Sequence, residues 1–157
     1  MPGYGILGPD QGTGLLSWEW ALTRIYATRN FWVCTVCPDG RPHAMPVWAV
    51  WDTGALWFST GLRSRKAGNL LCDPRCTVTT EDAGDPVIME GTAEIVTDPA
   101  AIRRFLAHSN AKYQVAYEID FPDPAVNATV AVRPHRVFGM KQGDFTGSPT
   151  RWTFQAG

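Results

Sequence analysis

FWVCTVCPDGRPHAMPVWAVWDTGALWFST, residues 31–60, is the stretch whose reading decides the fold. Its apolar residues fall into three short runs rich in β-branched and aromatic side chains: Phe31 to Val36, His43 to Trp51 and Ala55 to Thr60. Each junction carries turn chemistry, Pro38-Asp-Gly-Arg-Pro42 at the first and Asp52-Thr-Gly54 at the second. Runs of this length joined by tight turns are consecutive antiparallel strands, a meander. Pro46 falls inside the second run. Proline has no N–H to give to a ladder, so that position requires an edge, a bulge or a strand whose amide side faces a ligand.

Working outward, residues 1–14 hold five glycines and two prolines without an apolar period, and read as an irregular arm ahead of a single domain over residues 15–157. The arm contains Gly3-x-Gly5-x-x-Gly8. No strand precedes that spacing and no amphipathic helix follows it, so the glycines are turn formers rather than a dinucleotide fingerprint. Leu15 to Arg29 carries a one-sided apolar stripe, with Ser17 as N-cap and Glu19 in the first turn. Downstream, Ser64 to Leu71 is a short helix closed by Asp73-Pro74, Cys76 to Thr80 a strand, and Val87 to Val96 a long strand in which Gly91 marks a bulge or bend. Asp98 and Pro99 open a helix reaching to about Tyr117, and Ile119 to Val126 is a proline-bearing loop. Ala128 to Val132 and Arg136 to Met140 read as a hairpin around Arg133-Pro-His135, and Arg151 to Phe154 as a terminal strand. The sum is a mainly β protein: a β-barrel of six or more antiparallel strands with peripheral helices.

The chain has 157 residues, 45% hydrophobic and 18% charged, with a formal net charge of −1, which suits one compact domain. No global positive field gathers nucleic acid or anionic lipid, and no apolar run approaches the roughly 20 residues of a membrane span. A soluble, cytoplasmic protein with neither nucleic-acid nor membrane partners is expected. Cysteines at 34, 37, 72 and 76 offer four thiols to zinc, but Cys34 and Cys37 are an odd number of residues apart and point to opposite faces of a strand. Small reduced core side chains are the plainer reading, and no metal site is assigned.

The sharpest chemical constellation is Ser59-Thr-Gly-Leu-Arg-Ser-Arg-Lys66, a strand end and glycine running into a basic, hydroxyl-bearing helix start. Cations oppose the dipole at a helix N-terminus, so their clustering there points to an anion. Ser64 or Thr60 would offer a hydroxyl, and Arg65 and Lys66 charge-assisted bonds, to a phosphate. The spacing before Lys66 excludes a P-loop.

Taken together, Asp39-Gly-Arg-Pro, His43-Ala-Met-Pro-Val-Trp48, Leu56-Trp-Phe-Ser-Thr60, Ser64-Arg-Lys-Ala-x-Asn-Leu70, Asp73-Pro-Arg75, Met89-Glu-Gly-Thr-Ala-Glu94 and Thr150-Arg-Trp-x-Phe154 resemble the pyridoxamine 5′-phosphate oxidase-like split β-barrel. They look most like its flavin and deazaflavin oxidoreductases. The resemblance implies a homodimer with cofactor grooves at the interface, Ser64, Arg65 and Lys66 on the cofactor phosphate, Ser59 and Thr60 as strand-end contacts, and Met45, Pro46, Val47 and Trp48 beside the ring. Asn69 lies one helical turn past Lys66. Pro86 and Val87 match a place where some members reach the ring from the partner chain, and Trp152 one that closes the groove. The cofactor-binding arginine of the FMN-dependent oxidases is replaced here by His43-Ala-Met-Pro, which argues against pyridoxamine phosphate oxidation, and Pro46-Val-Trp48 looks more like the deazaflavin-using branch, which ranks coenzyme F-420 ahead of FMN. The expected activity is hydride transfer to a conjugated small-molecule acceptor; the alternatives are an FMN-dependent oxidoreductase and a non-catalytic flavin or haem carrier. No catalytic acid or base is assigned, His43 being the one weak candidate.

Overall fold

The protein is described here by a computed structural model covering residues 4–8, 11–118, 123 and 125–154. Gly3 of the glycine motif and much of the Ile119–Val126 loop lie outside those residues. The elements run α1 (Trp18–Ala27), β1 (Asn30–Val36), β2 (Pro42–Trp48), β3 (Val50–Asp52), β4 (Ala55–Gly61), α2 (Arg65–Cys72), β5 (Arg75–Thr80), β6 (Val87–Val96), α3 (Pro99–Tyr113), β7 (Asn127–Gly139) and β8 (Thr150–Thr153). All eight strands belong to one antiparallel sheet in the order β2-β1-β5-β6-β7-β4-β3, with β8 on β7.

The two ends of that order, β2 and β3, are consecutive in the chain and separated by Ala49 alone. One strand therefore bends at Ala49 and pairs with β1 before the bend and with β4 after it, which curls the sheet into a split barrel. Pro46 lies on the first half, where β2 has a hydrogen-bonded neighbour on one side only, the edge position that its missing N–H demands.

Helix starts follow local chemistry. The Ser17 hydroxyl accepts from the Trp20 amide at 3.2 Å, the Ser64 hydroxyl from Ala67 at 3.1 Å, and the Asp98 carboxylate from Ala100 and Ala101 at 3.3 and 3.1 Å. The third helix ends at Tyr113, four residues before the expected Tyr117, because Gln114 turns into the left-handed region at φ 54°. Thr53 and Gly54, at φ 49° and 73°, make the tight turn between β3 and β4.

The expected hairpin at Arg133–His135 is instead the middle of one 13-residue strand. Glu90 pairs with Arg136 and Gly91 with Pro134, so His135 is the extra residue of a bulge. A polar, proline-bearing triplet reads as a turn, yet a bulge equally needs no N–H from Pro134. Gly91 accepts the resulting close approach: a Cβ there would meet the Arg133 carbonyl oxygen at 2.5 Å and Val132 Cγ1 at 2.9 Å.

Two apolar clusters stabilise the fold. Ile25, Phe31, Val33, Leu56, Phe58, Val78, Met89, Val130 and Val137 fill the barrel, each large side chain contributing on the order of 2 kcal/mol. Outside it, α3 lays Ala101, Phe105 and Tyr113 on Val50, Ala55, Trp57 and Ala131. This second layer explains why β4 is buried on both faces from Ala55 to Phe58, whereas β1 alternates cleanly.

Candidate functional site

The last turn of α3 organises the bend at Ala49. The Tyr113 hydroxyl accepts from the Ala49 amide at 2.7 Å and donates its one proton to the Arg29 carbonyl at 2.8 Å; Lys112 Nζ takes the Ala49 carbonyl at 2.9 Å. Both backbone groups freed by the break are thereby satisfied. The Tyr113 ring stacks on Trp48 at 4.4 Å and 3°. Burial lowers Lys112 to about 8. The unfolded chain then holds more protons than the folded one between about pH 8 and the ordinary lysine value near 10.4, so this residue's contribution to stability rises with pH across that window. Denaturant unfolding should show the rise in the wild type, and Lys112→Met should flatten it.

Between this turn and the barrel's outer wall lies a pocket of about 200 Å³, lined by Pro46, Val47 and Trp48 of β2, Ser59 of β4, Lys66 of α2 and, from α3 onward, Phe105, Leu106, Ser109, Tyr113, Val115 and Tyr117. Lys66 is 7% exposed, and burial lowers its pKa. Its ammonium has no carboxylate and no hydrogen-bond acceptor among the described residues, and it lies over the Phe58 ring at 5.6 Å. The Ser59 hydroxyl has no partner among the described residues, and neither has the buried hydroxyl of Thr129, which the ladder places beside Ser59 on the same face. A buried, uncompensated cation is unfavourable unless something anionic completes it. The chemistry of this donor set fits a phosphate.

The sequence-derived residues are only partly brought together. Pro46, Val47, Trp48, Ser59 and Lys66 share the pocket. Met45 is exposed at its side of β2. Thr60 and Ser64 hydroxyls bond each other at 3.0 Å, and Ser64 caps α2. Arg65 is exposed and outside the pocket, close enough to Asp39 to help hold that carboxyl down, after the larger effect of Arg41. Asn69 is buried with its amide turned inward to Thr35 Oγ1 at 2.9 Å and Cys37 Sγ at 3.6 Å, so it ties α2 to β1 instead of facing a ligand. His43 Nδ1 lies 3.5 Å from Thr35 Oγ1, and His43 does not line the pocket. The Phe105–Tyr117 wall was absent from the sequence reading, although Phe105, Leu106, Ser109 and Tyr113 continue one helical stripe.

The thiols form no cluster. Cys72 is exposed, and Cys37 is spent on Asn69. Burial, with Cys34 nearby, pushes Cys76 up to about 12. Among the described residues no three His, Cys, Asp or Glu side chains are placed to hold a metal.

The family model for pyridoxamine 5′-phosphate oxidase matches residues 21–141. The chain belongs to that family. It is a family of split-barrel proteins that includes flavin-binding oxidoreductases. Among solved structures, a conserved hypothetical protein of Mycobacterium tuberculosis is 23% identical, aligned over 100% of this chain and 97% of its own, at TM-score 0.71. An F-420 reductase is 24% identical over 73% of this chain and 93% of its own, at TM-score 0.61. General stress protein 26 of Bacillus anthracis is 19% identical over 87% and 97%, at TM-score 0.67. These likenesses are of fold. A search of curated protein sequences returned no match. No helix of the described residues is long and apolar enough to cross a membrane.

Proposed function

We propose that this member of the family is an oxidoreductase that binds a phosphorylated deazaflavin, coenzyme F-420, with FMN as the alternative cofactor, and reduces a conjugated small-molecule acceptor. The observation that carries the reading is Lys66, buried, lining the pocket and without a counter-charge among the described residues. Lys66 and Ser59 would hold the phosphate, with the free amides of Arg65 and Lys66 at the start of α2 as further donors. The pocket's size suits a phosphate and the chain attached to it, leaving the ring to β2 from Met45 to Trp48, where all but Val47 are exposed. Bound there, the cofactor supplies the hydride chemistry. The protein orients it with Trp48, whose opposite face Tyr113 supports.

The carrier reading has one observation in its favour: among the described residues the pocket lining contains no carboxylate, imidazole or thiol. Purified protein mixed with reduced F-420 and a conjugated enone separates the two. Consumption of reduced F-420 that depends on both protein and acceptor is expected; tight binding without turnover would leave a carrier.

The enzyme is proposed to work as a homodimer. Register places Trp32, Cys34 and Val36 of β1 on one face with Pro46, Ala44 and Pro42 of β2, and all but Cys34 are exposed. Trp32 alone is 44% exposed. A contiguous apolar face of this kind suits a self-complementary contact. Trp32→Glu is expected to convert a sedimenting dimer into a monomer at micromolar concentration; an unchanged dimer would place the contact elsewhere.

A further inference from the structure

We propose that the cleft between the first turn of α1, the β3–β4 turn and the bulged β6–β7 ladder is a second small-molecule site, selective for a planar aromatic compound that carries an anionic group and a hydrogen-bond donor. It shares no lining residue with the Lys66 pocket and is larger, about 860 Å³ against about 200 Å³. A cleft with an apolar wall and a few convergent polar groups has the make-up of a ligand site.

One wall is aromatic and held rigidly. Trp18, Trp51 and Phe154 line it, and Trp18 meets Trp51 at 6.0 Å, Phe154 at 5.0 Å and the supporting Trp152 at 5.5 Å, each edge to face at 65°. Trp18 and Trp51 are packed against the barrel core from behind, so their orientation is fixed before any ligand arrives. Preformed indole surface of this kind gives stacking area at little entropic cost.

The facing wall is charged. Arg133 and Glu94 stand on adjacent strands, yet they form no ion pair with each other or with any other described residue. Two ladder positions from Arg133, across the bulge, Glu90 and Arg136 do pair, at 3.3 Å. The bulge at Gly91 separates the two cases, and it also places His135, the unpaired extra residue, on the cleft wall. Bulges commonly re-aim side chains toward a site. The planar guanidinium of Arg133 is suited to a carboxylate, and the Glu94 carboxylate can only accept. An anion and a donor on one flat ring therefore meet both groups.

The test uses the full chain and 2-aminobenzoate as probe, read by emission sensitised from the tryptophans. Saturable binding is expected, weakened about tenfold by Arg133→Ala, as loss of a charge-assisted pair implies. Benzoate and aniline, each lacking one of the two groups, should displace the probe only at concentrations well above its own dissociation constant. Lys66→Met should leave the probe's affinity unchanged, which separates this site from the cofactor pocket. Absence of saturation, equal affinity in Arg133→Ala, or loss of binding in Lys66→Met would each overturn the proposal. Arg133 is exposed, so the variant folds, and an unchanged far-ultraviolet circular dichroism spectrum verifies it.

Discussion

Lys66→Met is expected to weaken binding of F-420 or FMN by about 10- to 100-fold while stabilising the ligand-free protein. The first effect follows from losing hydrogen bonds to a charged group, worth roughly 1.5–3 kcal/mol. The second has the opposite sign because Lys66 is 93% buried without a counter-ion among the described residues, and methionine fills nearly the same volume with no desolvation cost. A gain of about 1 kcal/mol is the expected order. Lysines exposed at a helix start would show only the first effect. The pH dependence runs the same way. Burial lowers the pKa of Lys66 in the free protein, so the unfolded chain binds the extra proton and stability rises with pH through the window up to the ordinary lysine value. A bound phosphate favours the ammonium, so binding should take up a proton and weaken as pH rises. Titration calorimetry at a pH close to the ordinary lysine value, in two buffers of different ionisation enthalpy, reads that proton directly; equal heats there would remove Lys66 from the phosphate site.

Gly91→Ala is expected to destabilise the fold by about 3 kcal/mol, read as a lowered denaturation midpoint at unchanged slope. The added methyl carbon would lie 2.5 Å from a backbone oxygen on the neighbouring strand, which cannot rotate away as a side chain tip can. Relief requires β6 and β7 to part at the bulge, the point where the longest ladder of the barrel changes register. Gly40 and Gly61 have open space around the corresponding position, so Gly61→Ala, which avoids the positive φ of Gly40, is the internal control with little expected change.

Helix starts were legible because their chemistry is local: Ser17, Ser64 and Asp98 each cap within three residues of themselves. The strands from Phe31 to Thr60 were legible for the same reason, two-residue alternation between tight turns. The bend at Ala49 was not, since the groups that satisfy it, Lys112 and Tyr113, lie more than sixty residues away. Likewise the Arg133–His135 triplet reads as a turn until its partner, Gly91, is known. At the site, the basic run announced an anion, but not which cation would be buried. Arg65 and Lys66 are neighbours in sequence, and helical geometry turns one outward and the other into the pocket. The α3 stripe is a local pattern, but that it walls the pocket, with Tyr113 stacked on Trp48, is a tertiary product the stripe alone does not reveal.

The most direct measurement is a crystal structure of the protein with F-420. The phosphate is predicted to lie within hydrogen-bond distance of Lys66 Nζ and Ser59 Oγ, with the ring along Met45 to Trp48. A phosphate held instead by the exposed Arg63 and Arg65, with no contact to Lys66, would contradict it.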